Sequence, residues 1–203
     1  METQRANSDS FDERQSLQVI KEMIQVSQKK LKADGVLLII WGYAMSISYL
    51  FNYLNDILFL PNGIHRIFQF VDPVLPLIAF VYTIFYVVKQ KKKVTTYIGV
   101  SLRYVWIALF ISLVLTNLIL FNILQEANFT LQHPLFMVII AFAVVVTGII
   151  LRYRLIMVGG IVFGILAYLC SYLALRDQML LEAIAWFIAF VIPGHLMYFK
   201  REK

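Results

Sequence analysis

Long apolar stretches separated by short polar segments occupy the chain from residue 36 onward. A helix of about 20 apolar residues crosses the hydrocarbon core of a bilayer. The pattern therefore predicts an all-α polytopic membrane protein, a six-transmembrane-helix bundle. The predicted spans are residues 36–57, 67–88, 98–124, 134–151, 155–175 and 179–199. Residues 36–203 form one transmembrane domain in this interpretation, and residues 1–35 form a cytosolic tail.

The second span is interrupted by Asp72-Pro73. Asp is a preferred N-cap residue and Pro a preferred first helical residue, so the pair predicts a helix that begins at Pro73. Residues 65–71 would then lie along the membrane surface. The alternative role of Asp72 is that of an ion or proton ligand within the membrane, because intramembrane carboxylates are rare and commonly functional.

The tail contains a predicted amphipathic helix at residues 10–33. The segment opens with the capping-box pattern S-x-x-E over residues 10–13, and apolar residues then recur at helical spacing. One interpretation places this helix on the inner leaflet, where Lys29, Lys30 and Lys32 contact anionic lipid headgroups. The other makes it a docking helix for a cytosolic protein partner or a second copy of the chain.

Composition restricts the class of protein. Apolar residues make up 61% of the 203 residues and charged residues only 15%, whereas a typical soluble domain has about 25% charged residues. This excludes a soluble enzyme and a disordered tail. The single cysteine, Cys170, excludes an intramolecular disulfide.

The net charge of +6 does not indicate nucleic-acid binding, because its distribution follows the predicted membrane topology. Of the 18 Lys and Arg residues, 16 lie in segments on one side of the predicted bundle, among them Lys89 and 91–93 in the second loop. Only Arg66 and Arg176 are left for the other side. Short cationic loops stay in the cytoplasm, so both termini are expected there. The lysines of the second loop, like those before the first span, would bind anionic headgroups.

Three further ionisable residues lie within or beside the apolar stretches. Arg103 is explained by a long side chain that reaches the inner interface. Glu182 is explained by favourable charge near a helix N-terminus, or alternatively by a bundle cavity that it faces. His195 follows Pro193 and Gly194, which predict a break in the last helix in the form of a kink or local unwinding. His195 is explained as a hydrogen-bonded histidine at a bent helix end, or alternatively by a polar site that it forms with the freed carbonyl.

Gly160 and Gly164 form a G-x-x-x-G pattern, which allows two helix backbones to approach closely. The short turn at residues 152–154 favours an antiparallel hairpin of the fourth and fifth spans. The simplest use of the glycines is then contact within the monomer, and a dimer interface is the alternative.

The sequence lacks the short motifs of several enzyme classes. No H-E-x-x-H, P-loop or G-x-S-x-G is present. The three histidines are far apart in sequence. We therefore predict no catalytic residue, metal site or cofactor.

Four short elements, Trp41-Gly42, 147–150, Gly159-Gly160 and 192–194, occur in an order that resembles small six-helix inner-membrane proteins of bacteria. Members of that uncharacterised family also carry a charged N-terminal helix. The resemblance implies a bacterial cytoplasmic membrane and brings no activity with it.

Three functions follow as hypotheses. The first is a non-enzymatic interaction or regulatory protein that uses the cytosolic helix. The second is a small oligomeric transporter or channel that uses Asp72, Glu182 and the break at Pro193. The third, an intramembrane lipid-modifying enzyme, requires an acid, a base or a metal grouped on one face.

Overall fold

The computed structural model describes residues 15, 18–22, 35–58, 62–91 and 97–199, and these ranges contain helices and no strands. In the described residues from 35 onward, six helices precede a π-helical turn at Phe187–Val191, which joins α6 to α7 in one continuous rod. The helices are α1 (Val36–Ile57), α2 (Asn62–Lys91), α3 (Tyr97–Leu124), α4 (Phe129–Leu151), α5 (Arg154–Cys170), α6 (Leu175–Trp186) and α7 (Ile192–Phe199).

Most of the predicted amphipathic helix lies outside the described residues, including Lys29, Lys30 and Lys32. Gln15 and residues 18–22 are helical and exposed. Lys92 and Lys93 of the second loop also lie outside.

Four helices are long and apolar enough to cross a membrane: Val36–Ile57, Ile98–Leu124, Phe129–Leu151 and Leu175–Phe199. Shorter apolar helices run over Pro73–Lys89 and Arg154–Cys170. Large apolar side chains lie on the outside of the bundle, as at Phe85 and Phe142, which are 71% and 70% exposed. Such a surface suggests association with a membrane, where it contacts lipid rather than water.

Helices α4 and α5 form an antiparallel hairpin. Arg152 takes the left-handed conformation (φ 50°) and its backbone N–H donates to the carbonyls of Gly148 and Ile149, which ends α4. Farther from the turn, α5 packs directly on the backbone of α4. A Cβ atom added at Gly160 would lie 2.8 Å from the backbone nitrogen of Val145.

The rod formed by α6 and α7 lies at the centre of the bundle. It runs antiparallel to α1, because Ser46 Oγ donates to the Ala183 carbonyl at 2.8 Å while Gly42 packs on Val191 nearer the other end. It runs parallel to α4. Phe163 of α5 packs edge-on against Trp186 and Phe190 of the rod, and these three rings are part of the buried core.

The structure differs from the prediction at Asp72-Pro73. Helix α2 is continuous from Asn62, with Pro73 and Pro76 inside it, so Asp72 is not an N-cap and residues 65–71 are not a separate segment. A proline in a helix removes only its own N–H bond and crowds the preceding turn. The turns on either side of the two prolines keep the helix in one piece.

Helix α4 begins earlier than predicted. The side chain of Asn128 accepts a hydrogen bond from the Leu131 N–H at 3.0 Å, so Asn128 is the N-cap and Pro134 lies inside the helix. Because Pro134 has no N–H, the carbonyl of Thr130 loses its helical donor.

The last two predicted spans also have different ends. Helix α5 ends at Cys170 rather than residue 175, and α6 begins at Leu175 rather than residue 179. At Pro193 and Gly194, where a kink or local unwinding is predicted, the helix continues to Phe199 and widens directly before the proline. The N–H of Ile192 donates to the carbonyl of Phe187, five residues back. A π-helical turn accommodates Pro193, which lacks an N–H donor, so the rod is not interrupted.

Candidate functional site

A buried pair of ionisable side chains joins α4 to α6. Glu182 lies in the second turn of α6 with its side chain 2% exposed, and its Oε2 is 2.7 Å from Nδ1 of His133. His133 lies in the second turn of α4, where its side chain is 17% exposed. Because 2.7 Å is a strong hydrogen-bond distance, the two atoms hold a proton between them.

Gln178, one helical turn before Glu182, is fully buried beside this pair. Its amide nitrogen donates to three carbonyls: Thr130 at 3.0 Å, Leu173 at 3.1 Å and Cys170 at 3.2 Å. The Thr130 carbonyl is the one that Pro134 leaves without a helical donor. The side chain of Gln178 therefore joins the start of α4, the end of α5 and the connection that follows α5.

These three acceptors fix the orientation of the Gln178 amide, since only the NH₂ group can donate to a carbonyl. The Oε1 atom is consequently directed away from them. It is buried and has no hydrogen-bond partner among the described residues. Trp186 lies one turn beyond Glu182 on the same face. Its Nε1 is also buried and has no hydrogen-bond partner among the described residues.

Other elements surround the pair. The ring of Tyr49 on α1 stands edge-on to His133, with centroids 5.7 Å apart. The buried thiol of Cys170 on α5 is close enough to Glu182 to interact with its charge. Arg176 is half exposed and contacts the adjacent Asp177 at 3.5 Å. We call His133, Gln178 and Glu182 the buried polar cluster.

His195, at the other end of the rod, is not part of this cluster. Its Nδ1 lies 3.0 Å from the Val191 carbonyl one turn earlier, and Tyr43 stands edge-on to the ring at 5.7 Å. The histidine also lines an open, mainly apolar groove of about 460 Å³ between the start of α1 and α7. Beside it, Gly194 packs directly on the backbone of Gly35 and Ile39, so the Pro193-Gly194 pair lies where α1 crosses the rod.

The remaining predicted residues lie apart. Arg103 is half buried in the second turn of α3. Asp72 is placed within α2 by its backbone, and its side chain lies outside the described residues. Gly160 packs on the α4 backbone, whereas a Cβ added at Gly164 would meet only Ala141 Cβ at an ordinary 3.5 Å.

Of the predicted polar residues, Glu182 alone enters the buried cluster. His133 and Gln178 are not among the predicted site residues: residue 133 directly precedes the predicted fourth span, and residue 178 lies between the fifth and sixth. A signal for both existed in the sequence: Gln178 and Glu182 share a helix face at a spacing of four, and Pro134 predicts an unsatisfied carbonyl at Thr130.

Within the described ranges, no three His, Cys, Asp or Glu side chains converge as a metal site would require. In the cluster, the imidazole of His133 and the carboxylate of Glu182 are joined by one hydrogen bond. In comparisons with known proteins, no family model, curated protein or solved structure matches this chain.

Proposed function

We propose that the chain is an integral membrane protein with six crossings and cytoplasmic termini, that it resides in a bacterial cytoplasmic membrane, and that it works by binding other molecules rather than by catalysis. The observation that supports insertion is the inverted distribution of side chains: large apolar groups lie outside, and Gln178 and Glu182 lie inside. In water, the exposure of large apolar side chains would be unfavourable, and so would the burial of an amide and a carboxylate.

The helix directions are consistent with six crossings. Consecutive helices α4 and α5 are antiparallel, and the rod runs parallel to α4, as alternating crossings require. Trp41 Nε1 of α1 donates to Thr83 Oγ1 near the end of α2, so these two helices are antiparallel as well. The apolar parts of α2 and α5 are each 17 residues, about 25 Å at 1.5 Å per residue, near the lower limit for a span.

A binding role is favoured by the apolar surface that α3 leaves uncovered. This helix packs on α4, and Phe110 stacks with Phe80 of α2 at 6.2 Å, but Tyr104, Ile111 and Ile123 are more than half exposed. In the membrane, α3 offers such a surface to lipid or to another membrane helix. In the cytosol, the predicted helix at residues 10–33 offers a second surface, on which Ile20 is 53% exposed.

Affinity purification of the full chain from membranes tests the binding role. We expect a reproducible protein partner to be recovered with the full chain and lost when residues 1–35 are deleted. Ile20→Asp, which places a charge on the apolar face, should reduce recovery to the level of the deletion. Glu22→Ala is the matched control and should leave recovery unchanged. Equal recovery with all four proteins would contradict the role of this helix.

The second candidate function, a small oligomeric transporter or channel, is favoured by the buried carboxylate of Glu182. Intramembrane acids are costly and commonly lie on substrate or proton pathways. Flux through proteoliposomes should then fall strongly in Glu182→Gln and remain near the original rate in Asp177→Asn, whose side chain is 43% exposed. Flux that is insensitive to Glu182→Gln and to His195→Ala would remove this candidate.

A further inference from the structure

We propose that the groove between the start of α1 and α7 binds one anionic phospholipid. An acyl chain lies against the apolar walls of the groove, and the phosphate lies at the end of the groove where the cationic segments of the sequence begin. The lining residues are Val36, Ile39, Ile40, His195, Tyr198 and Phe199. This inference rests on the insertion into a membrane proposed above, and it does not depend on the protein partner.

The first argument is the chemistry of the groove. Its volume of about 460 Å³ is in the range of sites that bind small molecules, and such sites are mainly apolar. In the described part of the chain, no Lys, Arg, Asp or Glu side chain lines it. The rings of Tyr198 and Phe199 are 38% and 61% exposed, so their apolar surface is open to a ligand. A concave surface of this kind contacts an acyl chain on more than one side, which a convex helix face does not.

The second argument is that the walls of the groove are fixed before a ligand binds. A Cβ atom added at Gly194 would lie 3.0 Å from the backbone nitrogen of Ile39, so α7 and α1 touch beside the groove. His195 Nδ1 donates to the Val191 carbonyl at 3.0 Å, and Tyr43 stands edge-on to the same ring. These contacts hold the imidazole in one orientation. A preformed site avoids the entropy loss of ordering its own side chains when the ligand binds.

The third argument is the charge at the end of the groove. Val36 is the first residue of α1 and Phe199 is the last of α7, so both helices end there. Because consecutive Cα atoms are about 3.8 Å apart, the backbones of residues 200 and 201 lie within about 8 Å of that of Phe199. The sequence over residues 29–35 and 200–203 has six basic residues against two acidic ones: Lys29, Lys30, Lys32, Lys200, Arg201 and Lys203, against Asp34 and Glu202. Basic pockets between membrane helices on the cytoplasmic side bind anionic headgroups.

The apolar walls and the cationic segments together select the ligand. A zwitterionic phospholipid would fill the same walls, but its headgroup carries no net charge that the basic residues could attract. Free phosphate would be attracted by the basic residues, but it has no apolar part to place in the groove. An anionic phospholipid uses both features, and we therefore expect it to be preferred over either alternative.

Native mass spectrometry of the full chain, released from detergent micelles, tests the proposal because it counts the lipids that stay bound. Phosphatidylglycerol and phosphatidylcholine with the same acyl chains are offered in equal amounts. We expect one phosphatidylglycerol molecule to be retained per chain, with a preference over phosphatidylcholine of about tenfold. Glycerol phosphate and inorganic phosphate should not displace it, because neither has an acyl chain.

Substitutions then locate the binding site. Val36→Trp places a bulky ring in the groove and should reduce retained phosphatidylglycerol to the level of phosphatidylcholine. Ile47→Trp, at a position of α1 that is exposed outside the groove, is the matched control and should leave retention unchanged. Phe199→Ala shortens one wall at an exposed position; it should also lower retention, and it serves where Val36→Trp does not fold. Lys200→Glu combined with Arg201→Glu should abolish the preference for the anionic lipid.

Insertion is measured separately, by the resistance of the full chain to extraction from membranes at alkaline pH. A chain that is extracted would contradict the proposed insertion and the groove site with it. An inserted chain that shows no preference for phosphatidylglycerol would overturn the groove site alone, and so would retention that neither groove variant reduces. A preference seen only after deletion of residues 1–34 would also overturn it, because the chain itself would then occupy the groove.

Discussion

The two glycines of the G-x-x-x-G pattern should respond oppositely to the same substitution. Gly160 and Gly164 lie on one face of α5, one turn apart. A Cβ at Gly160 would lie 2.8 Å from the Val145 nitrogen, 2.8 Å from Val145 Cγ2 and 3.1 Å from the Ala141 carbonyl oxygen. At Gly164 it would meet one atom, at 3.5 Å. The neighbours of Gly160 include backbone, which cannot rotate away.

The expected changes in the free energy of unfolding follow from the different space beside the two glycines. Gly→Ala in a helix interior gains about 1 kcal/mol of helix propensity at either position. Gly164→Ala should therefore stabilise the protein by up to about 1 kcal/mol. Gly160→Ala gains the same propensity but forces α4 and α5 apart, and overpacking of this kind costs about 1–3 kcal/mol. Since propensity cancels between the two variants, their difference of about 1–3 kcal/mol measures the steric effect alone.

The assay is reversible unfolding in mixed micelles, with tryptophan fluorescence as the signal, because Trp186 packs against Phe163 in the core. The free energy of unfolding should rank Gly164→Ala highest, the unaltered protein next and Gly160→Ala lowest. If Gly160→Ala were as stable as Gly164→Ala, the close packing of α4 on α5 at Gly160 would be refuted.

Three further substitutions test individual hydrogen bonds by the same unfolding measurement. Gln178→Leu should destabilise the protein by about 1–3 kcal/mol, because it removes the donor to three carbonyls at a fully buried site. Trp41→Phe should cost about 1 kcal/mol through loss of its bond to Thr83 Oγ1, and a double-mutant cycle with Thr83→Val should show the two losses to be non-additive. Asn128→Ala should cost about 1 kcal/mol as a lost N-cap; an unchanged unfolding free energy would contradict the cap at the start of α4.

The helical class was predictable from the sequence because apolar stretches of this length have few stable alternatives to a helix. The bounds of α1 agree with the predicted 36–57: Gly35 precedes the helix, and Leu58, which follows it, has an extended backbone. Prolines caused most of the differences. Asp72-Pro73 and Pro134 have the local pattern of helix starts, yet they lie inside helices, because packing and the preceding turns compensate for the missing donors.

The buried polar cluster was only partly predictable. Glu182 is conspicuous in an apolar stretch, but its partner comes from another helix, 49 residues earlier in the chain. Periodicity assigns a face to each helix and does not say which faces meet. The pairing of His133 with Glu182 depends on α4 and α6 being parallel neighbours, a relation that arises from tertiary packing rather than from local spacing.

The most direct test of the account is the accessibility of single cysteines to a membrane-impermeant maleimide, in intact cells and after permeabilisation. Starting from Cys170→Ala, the substitutions Glu126→Cys and Tyr172→Cys place a thiol at exposed positions of one end of the bundle, and Lys89→Cys places it at an exposed position of the other. Lys203→Cys places a thiol in the cationic C-terminal segment of the sequence. We expect the first two to react in intact cells and the second two only after permeabilisation. Reaction of Lys89→Cys or Lys203→Cys in intact cells would contradict six crossings with the cationic segments in the cytoplasm.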